Sequence, residues 1–175
     1  MKQSINTNPE TEKYIFIVNG MGGCGKDTFA EMLGEIVKVK KYSSIDEIKN
    51  IARLCGWHGG KTERDRKFLS DLKRLTTEYS DFAFRDLMTR VEWYRKDPFN
   101  KVMLIDIREP EEIKRACDAF GAKSILIENK NVPLIDSNDS DARVFDYEYD
   151  IVIPNNGSLD DLRSHVKTFA EMYIK

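Results

Sequence analysis

The chain has 175 residues, 41% apolar and 33% charged, and its 28 Lys and Arg against 30 Asp and Glu leave a net charge of −2. That length suits one domain, and the composition excludes a wholly disordered, collagen-like or coiled-coil chain. Near-neutrality gives no global electrostatic reason to bind nucleic acid or an anionic membrane, and the longest apolar runs are far shorter than the roughly 20 residues a bilayer-spanning helix needs.

Residues 1–13 are polar, carry no signal-peptide core and read as a short disordered lead-in. Tyr14-Ile15-Phe16-Ile17-Val18 is a continuous apolar, β-branched run ending in a glycine-rich loop, the pattern of a strand buried on both faces. Phe29, Leu33, Ile36 and Val37 then recur at helical spacing over 26–37, and 39–43 forms a weaker second strand. Residues 44–96 read as helical. Ile45, Ile48, Ala52 and Cys55 mark one face, Gly56, Gly59 and Gly60 break the chain, Phe68, Leu72, Leu75 and Tyr79 mark a second helix, and Phe84, Leu87, Met88, Val91 and Tyr94 a third. Asp97-Pro98 ends it, because the residue before proline avoids the α region.

Strand and helix then alternate. Val102 to Ile105 is an apolar strand. Pro110 opens a helix marked by Ile113, Ala116, Cys117 and Phe120, with Gly121 placed as its left-handed cap. Residues 124–127 and 151–153 are further strands, separated by a polar stretch over 128–148. Ser158 and Asp161 fit a capping box ahead of Leu159, Leu162, Val166, Phe169 and Tyr173. Short apolar strands alternating with helices predict an α/β domain with a parallel five-stranded sheet covered on both faces. Ligands in such sheets sit at the carboxyl ends of the strands. Cys24, Cys55 and Cys117 form an odd, scattered set with no CxxC pair, which points to a reducing, cytoplasmic setting.

The loop after the first strand is Gly20-Met21-Gly22-Gly23-Cys24-Gly25-Lys26-Asp27-Thr28. It matches the phosphate-loop pattern G-x-x-x-x-G-K, with Asp27 where a Ser or Thr is usual and Thr28 one place later. Curling several backbone N–H groups around one phosphate requires glycines, the helix N-terminus adds partial positive charge, and a lysine at position 26 reaches the β- and γ-phosphates. Two other readings compete: a dinucleotide fingerprint through Gly20, Gly22 and Gly25, which lacks the acid expected at the end of the second strand, and a glycine-rich turn that binds nothing. Asp27 is either a ligand of Mg²⁺ or its waters, or an acid that favours the helix N-terminus. Cys24 is either a thiol activated by that N-terminus or a small residue filling the loop.

Asp106 ends the apolar strand 102–105, where a phosphate-loop protein delivers a carboxylate to the Mg²⁺ shell; the alternative is a solvated acid facing a loop. Arg108, two residues on, points to the same side if the strand continues. Among the cations of 44–96, Arg53, Arg64 and Arg74 are the candidates to enter the cleft, together with Ser44 in the loop after the second strand. A phosphoryl-transfer lid supplies cations, and Arg143 is the single arginine of 128–148, a candidate by elimination. His58 and His165 lie far apart in sequence and support neither a metal site nor a triad.

Gly25-Lys26-Asp27-Thr28, the run Asp106-Ile107-Arg108-Glu109-Pro110-Glu111-Glu112-Ile113, and Asn155-Asn156-Gly157-Ser158-Leu159 together resemble the nucleoside monophosphate kinases of the P-loop superfamily, over residues 14–175. The Gly-Lys-Asp-Thr form and the Asp-x-Arg strand end are similar to phage-type deoxynucleoside monophosphate kinases; animal-type phosphomevalonate kinases show a similar loop. The resemblance implies one domain with its core at about 14–43, 97–127 and 149–175, a helical acceptor-binding insert over 44–96 and a mobile lid over 128–148. It implies ATP and Mg²⁺, with Lys26 and Thr28 on the ATP phosphates and Asn155, Asn156 and Gly157 beside the adenine. Asp106 would serve Mg²⁺ or orient the acceptor, and Arg108 would bind the transferring or acceptor phosphate. Family lids carry several arginines, whereas 128–148 holds one arginine and the acids Asp136, Asp139, Asp141, Asp146 and Glu148. The expected activity is ATP-dependent phosphoryl transfer to a (deoxy)nucleoside monophosphate. The alternatives are a kinase for a non-nucleotide phosphorylated small molecule and a nucleotide-binding protein that transfers nothing. Expected partners are small-molecule nucleotides, with a homodimer left open.

Overall fold

Along strand β1 (Tyr14–Asn19) side chains alternate between two hydrophobic layers, as strand geometry demands. Phe16 and Val18 enter one layer, Ile15 and Ile17 the other, and β3 (Val102–Asp106) repeats the division with Val102 and Leu104 against Met103 and Ile105. The computed structural model describes residues 12–132 and 143–175. Most of the expected lead-in, through residue 11, and residues 133–142 of the expected lid lie outside the described residues.

The sheet has the order β2-β3-β1-β4-β5 and is parallel throughout. Its other strands are β2 (Val39–Ser43), β4 (Lys123–Glu128) and β5 (Ile151–Pro154). Helices α1 (Lys26–Ile36) and α6 (Leu159–Tyr173) cover one face. Phe16, Phe29, Phe169 and Tyr173 meet there with ring centroids 5.0 to 5.4 Å apart, and each buried phenylalanine contributes about 1.5–3 kcal/mol. Helix α5 (Pro110–Phe120) covers the other face through Ile113, Ala116 and Phe120.

Between β2 and β3 run α2 (Asp46–Leu54), α3 (Glu63–Ser80) and α4 (Phe82–Lys96). Helix α4 belongs to the α5 layer: Leu87, Val91 and Tyr94 pack onto the sheet. The part of 44–96 that stands off the sheet is therefore α2 and α3. Helix α3 departs from its expected pattern. Phe68 and Leu72 are half-buried, but Tyr79 is 91% exposed and Leu75 also faces solvent. Lys73 faces inward instead, 2.9 Å from both Glu109 and Glu112 at the start of α5. Partial burial lowers the Lys73 ammonium, and the two carboxylates outweigh this and hold its pKa above the ordinary value. In α2, Ile48 and Ala52 are buried as the spacing predicts, while Cys55 lies beyond the helix and is exposed.

The caps follow local chemistry. Ser158 and Asp161 form the predicted capping box of α6, and Thr62 and Asp65 form a second on α3. Gly121 takes the left-handed conformation after α5. The two tryptophans each lie under a guanidinium: Arg53 over Trp57, after α2, and Arg90 over Trp93, on α4. Among the described residues, no helix is long and apolar enough to cross a membrane.

Candidate functional site

Parallel pairing brings Val18 beside Asp106 and Ser43 beside Asp106, so the loops after β1, β2 and β3 open on one edge of the sheet. A cleft of about 660 Å³ lies there. Its floor includes Val18, Gly22, Gly23, Lys26 and Asp27 from the first loop and Asp106, Ile107 and Arg108 from the third.

The first loop is held from beneath. Asn19, buried at the end of β1, accepts from Gly20 N–H at 2.8 Å through Oδ1 and donates through Nδ2 to the Arg108 carbonyl at 3.1 Å and to the Tyr149 hydroxyl at 2.8 Å. Tyr149 in turn donates to the Val144 carbonyl at 2.8 Å, which ties residue 144 to the support of the loop. Burial pushes the Tyr149 hydroxyl up to about 12. Gly20 sits at φ +148 against β4, and a Cβ there would lie 2.5 Å from the Ile127 carbonyl oxygen. Gly25, at φ +103, passes close to the Asn155 side chain, which donates to the Cys24 carbonyl at 2.8 Å.

Cys24 is 1% exposed, and burial pushes its thiol above the ordinary value against the opposing pull of Lys26. Of its two readings the structure favours the packing one. Lys26 opens α1, and its Nζ donates to the Gly20 carbonyl at 2.5 Å and the Met21 carbonyl at 3.0 Å, arching over the loop. Thr28 is half-buried in the first turn of α1.

Asp27 and Asp106 approach one another through a residue that sequence reasoning missed. Lys41, on β2, donates to Asp27, and its Nζ lies 3.6 Å from Asp106 Oδ2. The hydrogen bond from Lys41 holds the Asp27 carboxyl below its ordinary value. Burial raises the Asp106 carboxyl, with Lys41 and Lys26 pulling the other way. Partial burial lowers Lys41, but its two carboxylate partners outweigh this and raise it. Among the described residues no group of three or more His, Cys, Asp or Glu could hold a metal ion. A third cleft carboxylate, Asp46, accepts from the Ser43 N–H and lies 3.5 Å from Lys49, whereas Asp27 and Asp106 are a pair that suits Mg²⁺, which takes one or two carboxylates and completes its shell with water and phosphate oxygens.

The other side of the cleft is lined by Lys41, Tyr42, Ser43, Ile45, Asp46, Lys49 and Lys61. Its cations are thus lysines, joined by Arg108. The arginines singled out from sequence go elsewhere. Arg53 stacks over Trp57 and donates to Asn50, Arg64 is exposed in the first turn of α3, and Arg74 pairs with Glu78 along its own helix. None of the three is among the residues lining the cleft. Ser44 is a backbone tie, its N–H donating to the Asp106 carbonyl at 3.1 Å. Arg143 pairs with Glu111 at 2.5 Å and Asp146 at 3.5 Å, outside the cleft lining. Asn155 and Asn156 join the loop after β5 to its surroundings: Asn155 N–H donates to the Glu128 carbonyl and Asn156 Oδ1 accepts from Lys130 N–H, both at 2.7 Å. Gly157 passes close to the Asp161 carboxylate.

No protein-family model matches the sequence, and no curated protein matches it. Solved structures do. Dephospho-CoA kinase from Campylobacter jejuni superposes with a TM-score of 0.51 at 19% identity, covering 91% of this chain and 97% of that one. Shikimate kinase from Aquifex aeolicus gives 0.47 at 14% identity, covering 90% and 96%. Thymidylate kinase from Candida albicans gives 0.47 at 9% identity, covering 92% of each chain. The first likeness, with the five-stranded parallel sheet and its loop, places the chain in the α/β P-loop NTPase fold, with kinases as structural neighbours. At such identity it speaks to the fold alone.

Proposed function

We propose that the protein is a phosphotransferase that moves the γ-phosphoryl of ATP to a phosphorylated small molecule, with a (deoxy)nucleoside monophosphate as the first candidate acceptor. The observation that carries this reading is the convergence of Lys26, Asp106 and Arg108 on one cleft whose opposite wall is lined by Lys41, Lys49 and Lys61. A phosphate loop alone would suit any nucleotide binder. A second, cationic wall facing it suits a second anionic substrate.

In this reading the backbone of Gly20 to Gly25, the N-terminus of α1 and Lys26 hold the β- and γ-phosphates, with Thr28 in support. Asn155 to Gly157 border the adenine. Arg108 binds the phosphoryl group or the acceptor phosphate. Asp106 and Asp27 are the residues that would hold Mg²⁺, which when bound neutralises charge on the phosphates. The chain's own contribution is positioning and charge compensation, and an acceptor that is itself a phosphate needs little general-base help. Arg143 reaches the reacting groups in this scheme only by leaving Glu111.

A specific observation favours a second reading, a phosphorylated acceptor without a nucleobase. Among the described residues that line the cleft the one aromatic ring is Tyr42, which is buried, donates to Asp86 and has the Arg90 guanidinium over one face. The test is product analysis with γ-labelled ATP and Mg²⁺ over a panel of nucleoside and non-nucleotide monophosphates. A labelled diphosphate with one class names the acceptor. ATP binding without any labelled product across the panel would overturn the transferase reading.

A further inference from the structure

Lys41 is an odd occupant of its place. Edge strands often carry lysines that point to solvent and discourage pairing, and Lys40 beside it does this. Lys41 instead turns over the cleft. Its ammonium lies between a carboxylate from the first turn of α1 and a carboxylate from the end of β3, two elements that the sheet brings together only at this edge. Its strand is fixed in register beside β3, and its neighbour Tyr42 anchors the opposite face through Asp86 and Arg90. The ammonium is thus delivered by a rigid strand on a flexible four-carbon stem.

Asp27 and Asp106 are also the hard oxygen donors that would take Mg²⁺ in the proposed reaction. A single positive charge shared between two carboxylates leaves them incompletely neutralised, whereas a divalent cation matches both. An ammonium held against Asp27 Oδ1 and Asp106 Oδ2 repels a divalent cation bound by the same two carboxylates, so ion binding works against Lys41. We infer that Lys41 is a built-in counter-ion that competes with the divalent cation for Asp27 and Asp106 and thereby sets the protein's metal requirement. The inference rests on the kinase reading for its biological sense, but the competition itself needs no nucleotide. Lys41 acts as a positioning residue: it keeps two like charges together until the ion arrives, and its displacement is an energetic toll on ion binding.

The experiment is titration of the nucleotide-free protein with Mn²⁺, following the free-ion electron paramagnetic resonance signal, for wild type, Lys41→Met, Lys41→Arg and Lys41→Met/Asp106→Asn. Removing the competitor should tighten Mn²⁺ by about twofold to fivefold in Lys41→Met, the scale of a partly exposed ion pair. Lys41→Arg, which keeps the charge, should stay near wild type, and the double variant should lose the gain. A Lys41→Met protein that binds Mn²⁺ no more tightly than wild type overturns the inference, as does a gain that survives Asp106→Asn. If Lys41→Met fails to fold, Lys41→Gln is read in its place by the same criteria. Should wild type transfer phosphate while Mn²⁺ affinity ignores Lys41, the competition fails and the kinase reading stands. Should Mn²⁺ respond as expected with no acceptor phosphorylated, the kinase reading fails and the competition stands.

Discussion

Gly20→Ala tests whether the phosphate loop is clamped against the sheet. The residue sits at φ +148, and an added Cβ would lie 2.5 Å from the Ile127 carbonyl oxygen and 2.6 Å from Cys24 Sγ. The first neighbour is backbone of β4 and cannot turn aside as a side chain could. Holding an alanine in a conformation L residues avoid costs about 1–2 kcal/mol. Relieving the overlap adds about 1–3 kcal/mol, the usual penalty for overpacking. A total of about 2–5 kcal/mol should lower the melting temperature by on the order of 5–15 °C for a domain this size. Gly34→Ala is the internal control. It lies on the exposed side of α1 with nothing within 4 Å of an added Cβ, so helix propensity alone acts. It should stabilise by about 0.5–1 kcal/mol and raise the melting temperature by a few degrees. Calorimetric melts of both variants, with and without ATP, are the assay. A Gly20→Ala protein that melts within about 2 °C of wild type, against a shifted Gly34→Ala, would refute the clamped-loop reasoning.

Lys26→Ala should abolish ATP-dependent activity while the melting curve persists, because Lys26 buries no apolar core; retained turnover in a labelled-ATP assay would remove the phosphate-loop assignment. Asp106→Asn should lower kcat by about a hundredfold or more while the ATP dissociation constant changes far less, since charge compensation matters most in the transition state; equal losses in both would mark Asp106 as a merely solvated acid. In hydrogen exchange, ATP should protect 20–28 and the acceptor α2 and α3, and a shared footprint would argue against two separate substrate walls. Burial raises the Asp150 carboxyl, but hydrogen bonds from the Ser124 N–H and hydroxyl outweigh this and hold it below the ordinary value. Its folded pKa is depressed, so the stability it contributes is present above about pH 4 and is lost as pH falls through the folded-state value. Acid melts of Asp150→Asn should accordingly lack that step.

Local signals carried the strands, the caps and the phosphate loop, because each depends on residues adjacent in sequence. The apolar run 14–18, the Ser158 capping box and Gly121 needed no knowledge of the rest of the chain. Lys41 was hidden for the opposite reason. Its role exists only because β2 lies next to β3, so that Ser43 pairs with Asp106, and strand order is a long-range fact. Charge type alone does not carry helix phase in 44–96. Arg74 is satisfied by Glu78 one turn away, while Lys73, its neighbour, is the residue that turns inward to Glu109 and Glu112. Helix α4 is contiguous in sequence with α2 and α3, yet Leu87, Val91 and Tyr94 pack it into a layer of the sheet, a long-range fact.

The placement of the two tryptophans gives the native chain an optical probe. Both indoles lie between β2 and β3, and neither belongs to the phosphate loop or to the α1 and α6 layer. Trp57 Nε1 donates to the Gly60 carbonyl, immediately before the cleft-lining Lys61, and its ring lies under the Arg53 guanidinium, 5.6 Å from the ring centroid. Any shift of that segment alters the cation over the ring, a perturbation to which indole emission responds. Excitation confined to tryptophan would therefore follow the surroundings of Trp57 and Trp93 and stay silent to events at the phosphate loop that do not reach them. Occupancy of the two halves of the cleft could then be separated in unlabelled protein.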